Sequence, residues 1–168
     1  MSQQDNHPKK GSSIKVDPIR DVKDIKLIKR ILQDKPRDLA LFVIGVNTNL
    51  RASDLLKIRV GDVFGLHPGE YFTLREKKTG KLRSITINKA VFDAIRELLA
   101  TMPGAKENEL LFQSRKVNSS RGGMLTVSYL NSLVKSWCRE INLRGNYGAH
   151  SLRRSEERRV GKECRSRW

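Results

Sequence analysis

Cysteine, aromatic residues and long apolar runs are all scarce in this chain of 168 residues. The two cysteines, Cys138 and Cys164, form no CxxC pair, and the three histidines are scattered along the sequence. This pattern excludes a disulfide framework or a zinc site of the usual spacing, and it predicts a protein of the reducing cytoplasm. The longest apolar run, LALFVIGV, is far too short to span a bilayer, and the polar amino terminus has no signal peptide. We therefore expect no membrane partner.

Acidic residues are also scarce, because 18 Asp and Glu face 34 Lys and Arg, which leaves a net charge of +16. An excess of this size predicts a polyanionic partner. Nucleic acid is favoured over the second choice, an anionic membrane surface, so the expectation of no membrane partner stands. A merely basic surface without such a partner stays open as the simplest alternative. The shortage of aromatic residues for base stacking counts against an RNA-binding protein.

The order of secondary structure predicts an α+β fold that is mainly helical, with a small antiparallel β-sheet. Residues 1–18 are polar and are predicted to be a disordered lead-in. Apolar residues then recur at helical spacing, and an alternating pattern around Lys78-Thr79-Gly80 indicates a hairpin. The predicted elements are helices from Val22, from Pro36, from Ala52 or Ser53 and from Asn88, hairpin arms at Tyr71–Arg75 and Leu82–Ile87, and a helix over Thr126–Ile141.

Four basic residues have contexts that suggest chemistry at a phosphate. Arg51 lies where a loop joins a helix beside a buried segment, Lys78 lies at the hairpin tip, and His150 and Arg153 are three residues apart at a helix start. Taken singly, each is more often a structural or solvated charge. Together they suit one task, because arginine forks grip phosphate oxygens and a lysine or histidine can deliver a proton to a departing oxygen.

The same residues carry a resemblance to a known family. TNLRASDLLKIRVGDV resembles the first arginine box of the tyrosine recombinases, the phage integrase family, and REKKTGKLRSITIN resembles their lysine hairpin. LFQSR and AHSLRR resemble two further segments of that family, and all four occur in the family's order. The resemblance covers residues 19–153, which implies an incomplete tyrosine recombinase catalytic domain there.

The resemblance implies a role for each matching residue. Arg51 and Arg153 would clamp the scissile phosphate, Lys78 would protonate the leaving 5′ oxygen, and His150 would assist proton transfer. Lys77 is the alternative to Lys78. The resemblance implies neither a metal nor another cofactor, because the arginines supply the positive charge. Residues expected to contact double-stranded DNA are Lys77, Thr79, Lys81, Arg83 and Arg115.

Two further positions bear on the family pattern: Asp54 matches it, and Asn49 departs from it. Asp54 takes the place of an acidic helix residue and is expected to be a structural support. Asn49 replaces a glycine that is usual in the first box, and asparagine also tolerates a left-handed turn. The three tyrosines, Tyr71, Tyr129 and Tyr147, all precede His150, whereas the family's nucleophile follows that box. We therefore expect this chain to be inactive in strand cleavage.

The last fifteen residues, 154–168, lack an amphipathic period and resemble the in-frame translation of a sequencing-library adapter. We therefore expect them to be a non-native tail. Without them 28 basic and 15 acidic residues remain, a net charge of +13, so the expectation of a nucleic-acid partner does not depend on the tail. The intact protein is expected to be bacterial or phage-encoded, to associate with the nucleoid, and to self-associate on DNA while breaking and rejoining it through a 3′-phosphotyrosyl intermediate. The alternative is a catalytically inactive DNA-binding module that acts by occupancy.

Overall fold

A computed structural model describes residues 16–114, 123–153 and 155 of the chain. It confirms the α+β fold, because helices predominate and one two-stranded antiparallel sheet accompanies them. In chain order the elements are α1 (Val22–Ile31), α2 (Pro36–Thr48), α3 (Ala52–Leu55), α4 (Val60–Val63), β1 (Tyr71–Arg75), β2 (Leu82–Thr86), α5 (Lys89–Ala100) and α6 (Val127–Glu140). Residues 149–153 begin a further helical segment.

Helix α2 forms the centre of the core. Pro36 occupies its first turn, where a missing N–H breaks no intrahelical hydrogen bond. Residues 40–46 are all buried, and α2 contacts α1, α3 and α5. Phe42 meets Trp137 of α6 edge-to-face, with ring centroids 6.0 Å apart. A helix that is apolar on every side is stable only where other elements cover it, and here they do.

The hairpin lies beside this helical core with one face turned inward. Phe72 pairs with Ile85 across the two strands, and both side chains are buried. Gly80 adopts a φ of 68° in the connecting turn, a conformation that glycine reaches without steric cost. Asn88 then caps α5 by accepting the Val91 N–H at 2.9 Å. The inward face of the hairpin is therefore fixed against the core at both of its strands.

Three local details were not part of the sequence-based expectations. Val22 begins α1 but is 51% exposed, because the first residue of a helix on the surface has no facing element to cover it. Helix α4 was not predicted, since four residues are too few to display a period. The apolar segment before residue 115, for which no element was predicted, forms two isolated bridges, Arg59 with Leu110 and Gln113 with Met124.

Some predictions lie outside the described residues. Arg115 lies there, as do the lead-in up to residue 15 and all of the carboxy-terminal segment except Ser155. The Ser155 hydroxyl is buried and accepts the Ile19 N–H at 3.0 Å. No helix in the described part of the chain combines the length and apolar character that crossing a membrane requires.

Candidate functional site

The short connection between α2 and α3 fixes the position of Arg51. It occupies the N-cap position of α3 in an extended conformation, between the buried residues Leu50 and Ala52. Its guanidinium Nη1 donates to Glu76 Oε2 at 2.6 Å, and the Arg51 side chain is 23% exposed. An arginine in this setting keeps its charge but has little freedom, because backbone and carboxylate both restrict it.

Glu76, the residue directly after β1, contacts three polar side chains of this part of the site, one of which is Arg51. Its Oε2 also accepts the Thr79 hydroxyl at 2.7 Å, and its Oε1 lies 3.5 Å from Nη1 of Arg83. The Thr79 hydrogen bond and the guanidinium groups of Arg51 and Arg83 together lower the pKa of Glu76 to about 2. The carboxylate is therefore ionised at neutral pH and ties the hairpin turn to Arg51.

Asn49 joins the carboxy-terminal arginine to the same cluster. It ends α2 in the left-handed conformation, with a φ of 52°. Its side-chain Oδ1 accepts Arg153 Nε at 2.9 Å, and its main-chain carbonyl accepts Arg83 Nη1 at 3.1 Å. Arg83 Nη2 donates to the Thr48 carbonyl at 3.0 Å. Arg153, Asn49, Arg83, Glu76 and Arg51 thus form one continuous chain of hydrogen bonds and an ion pair.

The helical turn that carries His150 and Arg153 is fixed by contacts on both of its sides. Gly148 N–H donates to the Ser151 hydroxyl at 3.0 Å, and Ser151 N–H returns a bond to the Gly148 carbonyl at 2.8 Å. Ala149 N–H donates to Asn131 Oδ1 of α6 at 3.0 Å. Leu152 packs so closely on α2 that a Cβ at Gly45 would lie 2.7 Å from its Cδ1. His150 remains exposed at the start of this turn.

The hairpin tip differs from the arginine cluster because its lysines are exposed. Lys77, Lys78 and Lys81 all lie at the surface, and in the described part of the chain the Lys78 ammonium contacts no acceptor. The base of the tip is anchored, since Lys77 N–H donates to Oδ1 of the buried Asp54 at 2.9 Å. The other Asp54 oxygen is buried without a hydrogen-bond partner among the described residues. The main chain of the hairpin is therefore held while its ammonium groups are free to reorient.

The structure links some of the candidate residues by hydrogen bonds and leaves others exposed. Arg51 and Arg153 belong to one hydrogen-bonded cluster, with Arg83 between them. Arg83, expected to contact DNA, instead directs its guanidinium at two main-chain carbonyls and Glu76. Lys77, Lys78, Thr79 and Lys81 lie along the exposed turn that follows Glu76.

Two residues of the cluster, Glu76 and Arg83, were missed as structural partners by sequence reasoning. A signal for both exists in the alternation of the strands. Glu76 is in phase with the buried Phe72, and Arg83 is in phase with the buried Ile85 and Ile87, so both charges face inward. Opposite charges on the inward side of one hairpin need partners, and these two are partners of each other.

The cluster favours an anionic ligand over a metal ion. Three guanidinium groups and the nearby lysines supply positive charge and N–H donors, which suit phosphate oxygens. Among the described residues, no three His, Cys, Asp or Glu side chains are grouped so that they could hold a metal.

Comparison with known proteins shows the family of this chain. The family model for the phage integrase family matches residues 21–159, so the chain belongs to the phage integrase family. It has the catalytic-domain fold of the tyrosine recombinases.

Three similar proteins illustrate the match. A probable integrase/recombinase YoeC of Bacillus subtilis (strain 168) is 39% identical over 100 residues, which cover 59% of this chain and 52% of that protein. The XerA recombinase structure has a TM-score of 0.70 at 17% identity, covering 88% of this chain and 52% of the other. The XerH site-specific recombinase bound to its difH substrate, in a pre-cleavage complex, has a TM-score of 0.67 at 22% identity, covering 91% and 46%. The chain thus spans about half the length of these proteins.

Proposed function

We propose that the arginine cluster binds a phosphate of double-stranded DNA and belongs to a site-specific recombinase of the cytoplasm. The hydrogen-bonded link between Arg51 and Arg153 through Asn49, Arg83 and Glu76 carries this proposal. Two guanidinium groups held at one place can face one phosphodiester and stabilise the charge that develops during its transfer. Their half-buried setting strengthens that electrostatic effect relative to water.

In the whole protein, the proposed reaction is transfer of a DNA 3′ phosphate to a tyrosine. The tyrosine oxygen forms a bond to phosphorus and passes its proton to a base, a transfer that His150 assists, while the bond from phosphorus to the 5′ oxygen breaks. Lys78, at the exposed tip, delivers a proton to that departing oxygen, and His150 binds the phosphate beside Arg153. The reverse sequence rejoins the strand. Self-association on DNA is part of the same proposal, because strands are exchanged between two duplexes.

The tyrosines of this chain do not supply the nucleophile in this proposal. Tyr71 is exposed at the start of β1. The guanidinium carbon of Arg37 lies over the Tyr129 ring, 6.0 Å from the ring centroid. The Tyr147 hydroxyl donates to the Arg144 carbonyl, and burial raises the pKa of Tyr147, which makes it harder to ionise. Residues 1–168 alone should therefore bind DNA without cleaving it.

This placement of the tyrosines also favours a second candidate function, a DNA-binding module that acts by occupying its site. A nicked suicide duplex separates the two, because a cleaving protein remains covalently attached to it. We expect no covalent adduct from residues 1–168 on any duplex. An adduct that disappears in Tyr147→Phe would show that the nucleophile lies within this chain and that our placement is wrong. An adduct formed by the gene's complete product on its own recombination site favours the recombinase, whereas binding there without an adduct favours the module.

Binding itself is tested by the dependence of duplex affinity on salt. The shortened chain for this test ends at Ser155, because its hydroxyl accepts the Ile19 N–H. That form carries 29 basic and 15 acidic residues, a net charge of +14. We expect both forms to lose affinity by about a hundredfold or more between about 50 and 200 mM salt, which corresponds to roughly four phosphate contacts. Salt-independent binding, or binding that needs residues 156–168, would contradict the proposal.

A further inference from the structure

Asn49 has a backbone conformation that few side chains tolerate. Its φ of 52° lies in the left-handed region, where glycine is the usual residue and asparagine is accepted because its short side chain bonds locally. In the described part of the chain, Asn142 is the other non-glycine residue with positive φ, at 56°. Asn142 is exposed and follows α6, so the chain offers two asparagines of one conformation in different surroundings.

The Asn49 side chain contacts a residue that is distant in sequence. Its Oδ1 accepts Arg153 Nε at 2.9 Å across a separation of 104 residues. This bond uses one of the five N–H donors of the guanidinium, and it sets the plane of that group through the Nε edge. The other four donors are on the two Nη groups, which form the fork that matches two oxygens of a phosphate.

The chemistry of the acceptor distinguishes Arg153 from Arg51. Arg51 is held by the ionised carboxylate of Glu76 at 2.6 Å, which offsets part of its positive charge. Arg153 is held by a neutral amide oxygen, which orients the guanidinium without offsetting any charge. An amide at position 49 is both an acceptor and neutral, a combination that glycine and aspartate each lack: glycine has no acceptor, and aspartate adds a negative charge beside the arginine.

We infer that Asn49 is a positioning residue that orients Arg153 toward phosphate while leaving its full charge to the ligand. The inference rests on the proposed function, since it assumes that Arg153 faces a phosphate. It adds that residue 49 determines how strongly Arg153 binds that phosphate. Glycine at this position would release the guanidinium, and binding would then have to order a long side chain again. Aspartate would keep the orientation but compete with the phosphate for the charge.

The test uses the full 168-residue chain with inorganic phosphate as the probe. Arginine Nε–H resonances are followed by nuclear magnetic resonance at low salt, and Arg153→Lys identifies the signal of Arg153 by deleting it. We expect that signal to be protected from solvent exchange in the wild type and in Asn49→Asp, and to lose protection in Asn49→Gly. Phosphate affinity read from the same signal should fall by roughly three- to tenfold in Asn49→Gly, the range expected for reordering an arginine side chain. It should fall further in Asn49→Asp.

Asn142→Gly and Asn142→Asp are the matched controls, because they make the same two changes at the same backbone conformation, at a residue whose described hydrogen bond goes to the Arg139 carbonyl and not to the arginine cluster. We expect them to leave both the Arg153 signal and its phosphate affinity unchanged. Wild-type phosphate affinity in Asn49→Gly would overturn the inference and leave the proposed function standing. Equal losses in the Asn142 variants would overturn it as well, because the effect would then be general. Absence of any phosphate response at Arg153 in the wild type would overturn both.

Discussion

The arginine cluster and the hairpin tip are both basic, but they hold their charges in opposite ways. In the cluster, Arg51 and Arg153 are half-buried, and each donates to a side-chain acceptor within 3 Å. At the tip, Lys78 is exposed and its ammonium has no partner among the described residues. The planar arginine fork benefits from being oriented before a ligand arrives, whereas a lysine acts as a mobile point charge. Under the proposed function, the cluster would therefore set the place of the phosphate and the tip would supply mobile charge.

The arginine cluster and the hairpin tip also differ in how they are anchored to the rest of the fold. The guanidinium groups of the cluster are held by side-chain and main-chain acceptors, while the main chain of the tip is held at its base by the buried Asp54 through the Lys77 N–H. Loss of a buried acceptor affects folding, and loss of an exposed charge affects only the ligand. Four substitutions divide along this line, and they follow from the largest expected effect to the smallest.

Replacing Asp54 by alanine should destabilise the fold the most of the four. It removes a buried carboxylate and leaves the Lys77 N–H without its acceptor, for which we expect a loss of about 1–3 kcal/mol in the free energy of unfolding. Urea unfolding measures this loss, with the exposed Asp34→Ala as the control. A change in Asp54→Ala as small as that in Asp34→Ala would show that the base of the tip is not anchored.

Replacing Arg83 by alanine tests whether an inward arginine is structural. Its guanidinium bonds the Thr48 and Asn49 carbonyls at 3.0 and 3.1 Å, so its loss should cost about 1–2 kcal/mol of stability. The salt dependence of duplex binding should change less than it does in Lys81→Ala, whose side chain is exposed. The reverse ranking of the two variants would place Arg83 on the DNA surface instead.

Replacing Glu76 by glutamine tests, through the pH dependence of stability, whether the ionised carboxylate stabilises the fold. The Thr79 hydroxyl and the two arginines lower the pKa of Glu76 to about 2, below its ordinary value. A lowered pKa means that the carboxylate stabilises the fold above about pH 4.5 and that this contribution disappears as the pH falls toward 2. The wild type should therefore be more stable than Glu76→Gln at pH 7, with the difference shrinking across that acidic range. A difference that stays constant with pH would exclude the ionised carboxylate as its cause.

Replacing Lys78 by alanine should have the smallest effect on the fold. Because the side chain is exposed, we expect stability to stay within about 0.5 kcal/mol of the wild type. Duplex affinity should weaken modestly, and the salt dependence should fall by the equivalent of about one phosphate contact. Lys78→Arg keeps the charge and should keep the salt dependence. A marked loss of stability in Lys78→Ala would show that the tip is as tightly held as the cluster.

Several features of the site were predictable from local pattern. The short helix after Arg51 and the turn at Gly80 follow from residue type and spacing, and the structure has both. The left-handed turn at Asn49 was expected because asparagine tolerates it. The inward direction of Glu76 and Arg83 was readable from the alternation of the two strands, although sequence reasoning assigned Arg83 to the DNA surface. Local periodicity reports which way a side chain points but not what it will meet.

The sequence by itself determined the order of the elements, the burial of α2 and the excess of positive charge, because each depends on residue type and near-neighbour spacing. Only the tertiary structure decided which acceptor each arginine takes. Arg153 reaches Asn49 because Leu152 packs on α2 beside Gly45, and Arg51 reaches Glu76 because the hairpin lies against α3. Partners so far apart in sequence are selected by the packing of whole elements, and no local pattern encodes that choice.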